Sequence, residues 1–151
     1  MALNLIKLCV GVESVEQLAG FQKRRRGELA AAGLPPYNRH LTRNFPRRAE
    51  EIMEPRDGPS GSLFWVIKRE VRVRQPFHAI EEAVDHEGRR CCALVLEPDL
   101  IRVDPRPQRP FQGWRYLEAA DAPADLGGGA HDEIDEMPDE MVRELRALGL
   151  I

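Results

Sequence analysis

Few of the residue groupings that announce chemistry occur in these 151 residues. The three cysteines, Cys9, Cys91 and Cys92, form no Cys-x-x-Cys pair. Neighbours on a strand take opposite faces, so Cys91 and Cys92 are not placed to bond to each other. An odd count of thiols argues against a disulfide framework and for a reducing, cytoplasmic setting. The four histidines, His40, His78, His86 and His131, are far apart in the chain, which gives no zinc-ligand spacing. Gly127-Gly128-Gly129 lacks the Lys-Ser/Thr pair and the preceding strand of a phosphate loop. No serine or cysteine stands in a nucleophile-elbow context. No apolar run approaches the roughly 18 residues of a membrane span. The start, Met1 to Gly11, has no basic front and no cleavage-like site, so it does not read as a targeting peptide. Metal, cofactor and membrane partners are therefore not expected.

What is present suits one domain, residues 1–151, long enough to bury most of its unfolded apolar surface but short for two cores. A hydrophobic content of 42% with 31% charged residues of mixed sign is that of a chain that folds. The net charge of −3 hides an asymmetry. Residues 1–38 sum to +2, residues 39–116 to +3 and residues 117–151 to −8. Such an acidic tail either stays solvated or folds back over a basic surface and competes with a polyanion for it.

Residues 61–103 organise the rest. In Leu63-Phe64-Trp65-Val66-Ile67 both faces are apolar, so this strand must be covered twice. Around it the pattern predicts a first strand over Leu3–Val10. A helix comes next, from a Ser14 cap to Gly33, with Val15, Leu18, Phe21 and Leu29 as its apolar stripe. The run Lys23 to Arg26 spans a full helical turn and reads as a solvated face. A short strand is expected at Arg39–Arg43 and a helix from Pro46 to Met53. A strand through Val71-Arg72-Val73-Arg74 shows valines to one side and arginines to the other. Asp85-His86-Glu87-Gly88 suits a hairpin turn. Residues 118–136 read as an acidic, glycine-rich spacer and 138–148 as a final helix docking on the body. The fold expected is α+β: one small, mostly antiparallel, barrel-like sheet with flanking helices.

Two stretches carry a resemblance: His40-Leu41-Thr42-Arg43-Asn44-Phe45-Pro46-Arg47-Arg48-Ala49 leading into Gly61 to Lys68, and Pro110-Phe111-Gln112-Gly113-Trp114-Arg115-Tyr116-Leu117. With Asn4 to Leu8 they resemble a bacterial family of unknown function, seen mostly in alphaproteobacteria, from the first strand to about Leu126. Where that family has glycine after the Trp-Val-Ile-Lys run, this chain has Arg69, so a turn needing positive φ would be strained or absent. A looser likeness over residues 61–117 is to the PUA-like barrels, including the ASCH and EVE groups. It implies RNA or modified nucleotides as partners, by analogy of fold.

The arginines have two readings. Arg43, Arg72, Arg74 and Arg115, with Trp114 as a base-stacking surface, make a candidate nucleic-acid or phosphate site, because the guanidinium fork binds phosphate through paired hydrogen bonds. Alternatively these arginines, with Arg39, His40, Arg47, Arg48 and Lys68 of the same basic set, pair with Glu50, Glu51, Glu70, Glu81 and Glu82, while Trp114 and Tyr116 plug one end of the barrel. Three functions are open: a non-enzymatic module binding RNA or a nucleotide, a small enzyme centred on His40, and a protein-interaction module using the acidic tail. His40 is the weak catalytic candidate because it titrates near neutrality beside Thr42, Arg43 and Arg47.

Overall fold

The computed structural model describes residues 2–56, 58–126, 138–141 and 144. Its centre is β3 (Ser62–Ile67), buried at every position. Leu63, Trp65 and Ile67 enter one cluster with Leu5, Val15, Leu18, Ile52, Phe77 and Leu94. Phe64 and Val66 enter a second with Ile6, Val71 and Val103. The double cover that the apolar pattern demands is thus supplied by two separate cores.

β1 (Asn4–Leu8) runs parallel to β3, and the long β4 (Glu70–Val84) runs antiparallel on its other side. The first half of β4 also pairs with β6 (Ile101–Pro107), while its second half pairs with β5 (Arg90–Leu96), which carries β2 (Asn38–Thr42) at the edge. β7 (Trp114–Leu117) lies outside β1. The result is a mixed seven-stranded sheet in the order β2-β5-β4-β3-β1-β7, with β6 attached to β4. Five of its six pairings are antiparallel. Among the described residues no ladder joins the edges β2 and β7, so the expected barrel is an open sheet. The connection after β2, which contains Pro46, meets β7 instead. Trp114 Nε1 donates to the Asn44 carbonyl at 2.8 Å, and the Arg48 amide donates to the Tyr116 hydroxyl at 3.1 Å. Two aromatic side chains of β7 hold this connection without strand pairing.

β4 differs from its alternating pattern. Opposite β3, Trp65 pairs with Val73 and Val66 with Val71, which leaves Arg72 as a bulged residue. A bulge reverses the facing of the residues beyond it. Val71 consequently joins the second cluster and Val73 the first, and Arg72 is buried rather than turned to water.

α1 (Val15–Ala31) starts as its capping pattern requires, with the Ser14 hydroxyl accepting from the Gln17 amide at 3.0 Å. Its buried face is Val15, Leu18 and Gln22, at spacings of three and four; Phe21 falls off that line and is exposed. A glutamine therefore takes an inner position expected to be apolar. α2 (Ala49–Met53) is shorter than the helix expected from Pro46 and buries Ile52. Gly61 is required by close approach, since a Cβ there would lie 2.0 Å from the Leu3 carbonyl oxygen.

Residues 118–126, the first part of the expected spacer, run beside β6. The Asp104 amide donates to the Ala124 carbonyl and the Leu126 amide to the Arg102 carbonyl, each at 2.9 Å. A single 3-10 turn, Ala119–Asp121, lies within this stretch. The rest of the spacer lies outside the described residues, as do Val142, Leu145 and Leu148 of the expected final helix; Asp139, Glu140, Met141 and Glu144 are helical. No helix among the described residues is long and apolar enough to cross a membrane.

The β3–β4 turn has two residues, Lys68 and Arg69, at φ 49° and 63°. Both occupy the left-handed region that glycine enters without a Cβ penalty. Arg69→Gly is expected to stabilise the protein by about 1 kcal/mol, the left-handed penalty less the extra freedom of glycine in the unfolded chain. An unchanged or lower urea midpoint would contradict this.

Candidate functional site

The arginines expected to form one basic face are held apart. Arg72, 6% exposed, sets Nη1 at 3.0 Å from Asp139 Oδ2 and Nη2 at 3.1 Å from Glu70. Arg102, 3% exposed, places Nη1 at 2.7 Å from Asp139 Oδ1. The same Asp139 carboxylate accepts from the Val15 amide at 3.0 Å, at the positive end of α1. Arg74 makes a fork on Asp125, 2.7 and 2.9 Å, and donates to the Ser62 hydroxyl at 2.9 Å. Arg115 lies over the Phe111 ring at 4.4 Å. Trp114 and Tyr116 meet edge to face at 4.9 Å, against the first core. Carboxylates of the acidic segment thus sit on Arg72, Arg74 and Arg102. Several pairings of the alternative reading also occur: Arg48 with Glu51, Arg72 with Glu70, and Arg39 with Glu81 at 4.0 Å.

Arg43 is different. It lies just past β2 and lines two depressions of about 320 and 450 Å³, which share Arg43, Arg90 and Cys91. Among the described residues neither Arg43 nor Arg90 meets a carboxylate. Phe45, 42% exposed, and Val84, 63% exposed, border the first depression, and Leu41, 45% exposed, borders the second. Arg89, at the rim, is engaged by Asp85 and Glu87. Arg90 was not legible as a partner of Arg43, because the β2–β5 pairing that brings them together is invisible in the linear chain; Phe45 is a near neighbour of Arg43 in sequence.

His40 lines neither depression. In register with β5 it stands opposite Leu94, whereas Leu41 stands opposite Ala93, so the two take opposite faces of the sheet. Its ring meets Trp65 edge to face, centroids 5.2 Å apart and planes at 89°. It borders a cleft of about 260 Å³ between β1, α1 and β2, together with Lys7, Cys9, Gln22, Asn38 and Trp65. Burial is the first cause of all three shifted titrations there. It lowers His40 to about 4, with the Lys7 charge adding to the effect. It pushes the Cys9 thiol up to about 12, against a smaller opposing pull from Lys7, and it lowers Lys7. Cys9 at neutral pH is therefore a thiol, not a nucleophilic thiolate. Beneath the cleft lies a polar network. The Gln22 and Gln75 amides donate to each other at 3.0 and 2.7 Å, and the Trp65 indole N–H donates to Gln75 Oε1 at 3.0 Å. Of this site the sequence singled out His40; a further signal is Lys7, a charge on the same strand face as Leu5 and Cys9. Among the described residues no three His, Cys, Asp or Glu side chains gather as a metal site requires.

Two substitutions test these environments. Asp139→Asn leaves Arg72 and Arg102 buried with one carboxylate charge fewer, and is expected to cost about 3 kcal/mol in urea unfolding; a cost below about 1 kcal/mol would mean that the carboxylate does not hold them. His40 stays neutral in the folded chain down to about pH 4, whereas the unfolded chain takes up the proton near pH 6.5. The stability this contributes is full above pH 6.5 and is lost as the pH falls toward 4, by roughly 2–3 kcal/mol. The difference in unfolding free energy between wild type and His40→Gln should narrow by that amount from pH 7.5 to 4.5, and parallel pH profiles would refute it.

No curated protein and no solved structure matches the chain. A family model described as a protein of unknown function, DUF1489, matches residues 5–151, from the second residue of β1 onward. The strand pattern, the Trp65-centred core and the aromatic edge strand described above are therefore those of a member of the DUF1489 family, to which this chain belongs.

Proposed function

We propose that the protein is a non-enzymatic module that binds RNA or a nucleotide, with the contact centred on Arg43 and Arg90 and on Phe45 beside them. The observation that carries this is the pair Arg43 and Arg90, which line both depressions and have no carboxylate partner among the described residues. Arginine in that state offers its fork to phosphate oxygens, and an exposed phenylalanine beside it offers a face for a base. Of the residues that the sequence offers for binding, Arg72, Arg74 and Arg115 already answer Asp139, Asp125 and the Phe111 ring, so the weight moves to Arg43. The likeness to PUA-like barrels supports the same class of ligand by analogy of fold.

The test is fluorescence anisotropy with labelled RNA and DNA of mixed sequence, about 12 nucleotides long, at about 50 and 150 mM salt. Binding should weaken with salt, and Arg43→Ala with Arg90→Ala should reduce the slope of log K on log salt by about 0.7 per phosphate contact removed. Absence of binding at the lower salt, or binding that the double variant leaves intact, overturns the proposal.

A further inference from the structure

The cleft around His40 shares no lining residue with the Arg43 depressions and has polar groups that the fold leaves unused. Most of its polar atoms are spoken for. Gln22 and Gln75 bond to each other, and Gln75 also donates to the Glu97 carbonyl at 2.8 Å. Asn38 accepts from Arg26 at 3.0 Å and donates to the Gln22 carbonyl at 3.3 Å. Arg39, at the mouth, faces Glu81. Two groups remain. His40 Nε2 is buried with no hydrogen-bond partner, and Lys7, lining the same cleft, meets no carboxylate among the described residues. Buried nitrogens are nearly always satisfied, so an orphan on a cleft wall points to a missing acceptor.

We infer that this cleft binds a small molecule carrying one carboxylate on an apolar body, the carboxylate accepting from Lys7 Nζ and from His40 Nε2–H. One ammonium group and one neutral N–H match a single negative charge. A phosphate dianion would bring a second charge that no donor here answers. Leu18, Leu96 and Trp65 supply apolar walls for the body. The volume, about 260 Å³, is the space of roughly eight or nine waters at ~30 Å³ each, which suits a short aliphatic or single-ring acid. The edge-to-face contact with Trp65 fixes the imidazole plane before a ligand arrives.

The experiment follows the His40 ring nitrogens and the Lys7 and Cys9 amides by NMR at about pH 7.5, where the imidazole is neutral. Benzoate, butyrate, inorganic phosphate and benzamide, the neutral shape-match of benzoate, are titrated to about 10 mM, a range that reaches the weak affinities of small ligands. Expected is a saturable shift of His40 Nε2 with benzoate or butyrate. Benzamide and phosphate should bind roughly tenfold more weakly or worse. Lys7→Met should weaken carboxylate binding by about tenfold or more, with Lys7→Arg restoring most of it. No saturable shift with either acid, benzamide binding as well as benzoate, or phosphate binding better than the carboxylates would overturn the inference. The comparison of benzoate with benzamide on the wild-type chain decides the matter even if Lys7→Met does not fold.

Discussion

A strand with no face left for solvent constrains everything placed around it. β3 is buried at every residue, and burial of its Leu, Phe, Trp, Val and Ile side chains contributes about 1.5–3 kcal/mol each. That gain requires cover on both sides. One side takes α1, α2 and the inner face of β5; the other takes β6 and the segment that carries Phe111. The parallel neighbour β1 and the antiparallel neighbour β4 satisfy its backbone groups. The bulge at Arg72 lets β4 serve both cores, since it sends Val71 into one and Val73 into the other.

The same bulge draws a charge out of water, which costs several kcal/mol per ion unless the charge is answered. Asp139 answers it for Arg72 and for Arg102 at once, and ties both to the first amide of α1. Asp125 does the same for Arg74. The acidic segment is thus part of the architecture at these two carboxylates. A surface that composition describes as basic is largely satisfied from within, and the arginines left over define where an outside anion can be met.

The two candidate sites lie along different halves of β2: Asn38, Arg39 and His40 line the cleft, and Leu41 and Thr42 line the second depression. One face of this edge strand carries His40 toward the cleft under α1; past its end, Arg43 and Phe45 border the depressions by Arg90. The connection between β2 and α2 also receives Trp114 and Tyr116. Those aromatics, which their glycine and proline neighbours mark as a possible stacking surface, are committed to holding that connection.

Local pattern decided much of this protein. The double-faced apolar strand, the Ser14 cap, the Asp85–Gly88 turn and the residues of β2 are all set by period, capping and turn chemistry within about ten residues. The membership of one α+β sheet was legible for the same reason. The open path of that sheet, the burial of Arg72 and the seat of Asp139 were not. A bulge changes facing without changing composition, and an ion pair such as Arg72 with Asp139, 67 residues apart, has no short-range signature. Gln22 in an inner position, His40 with an unmet nitrogen and Arg43 beside Arg90 depend likewise on which strands pair. Only tertiary structure sets those neighbours, because burial and charge compensation are properties of the assembled surfaces and not of any one segment.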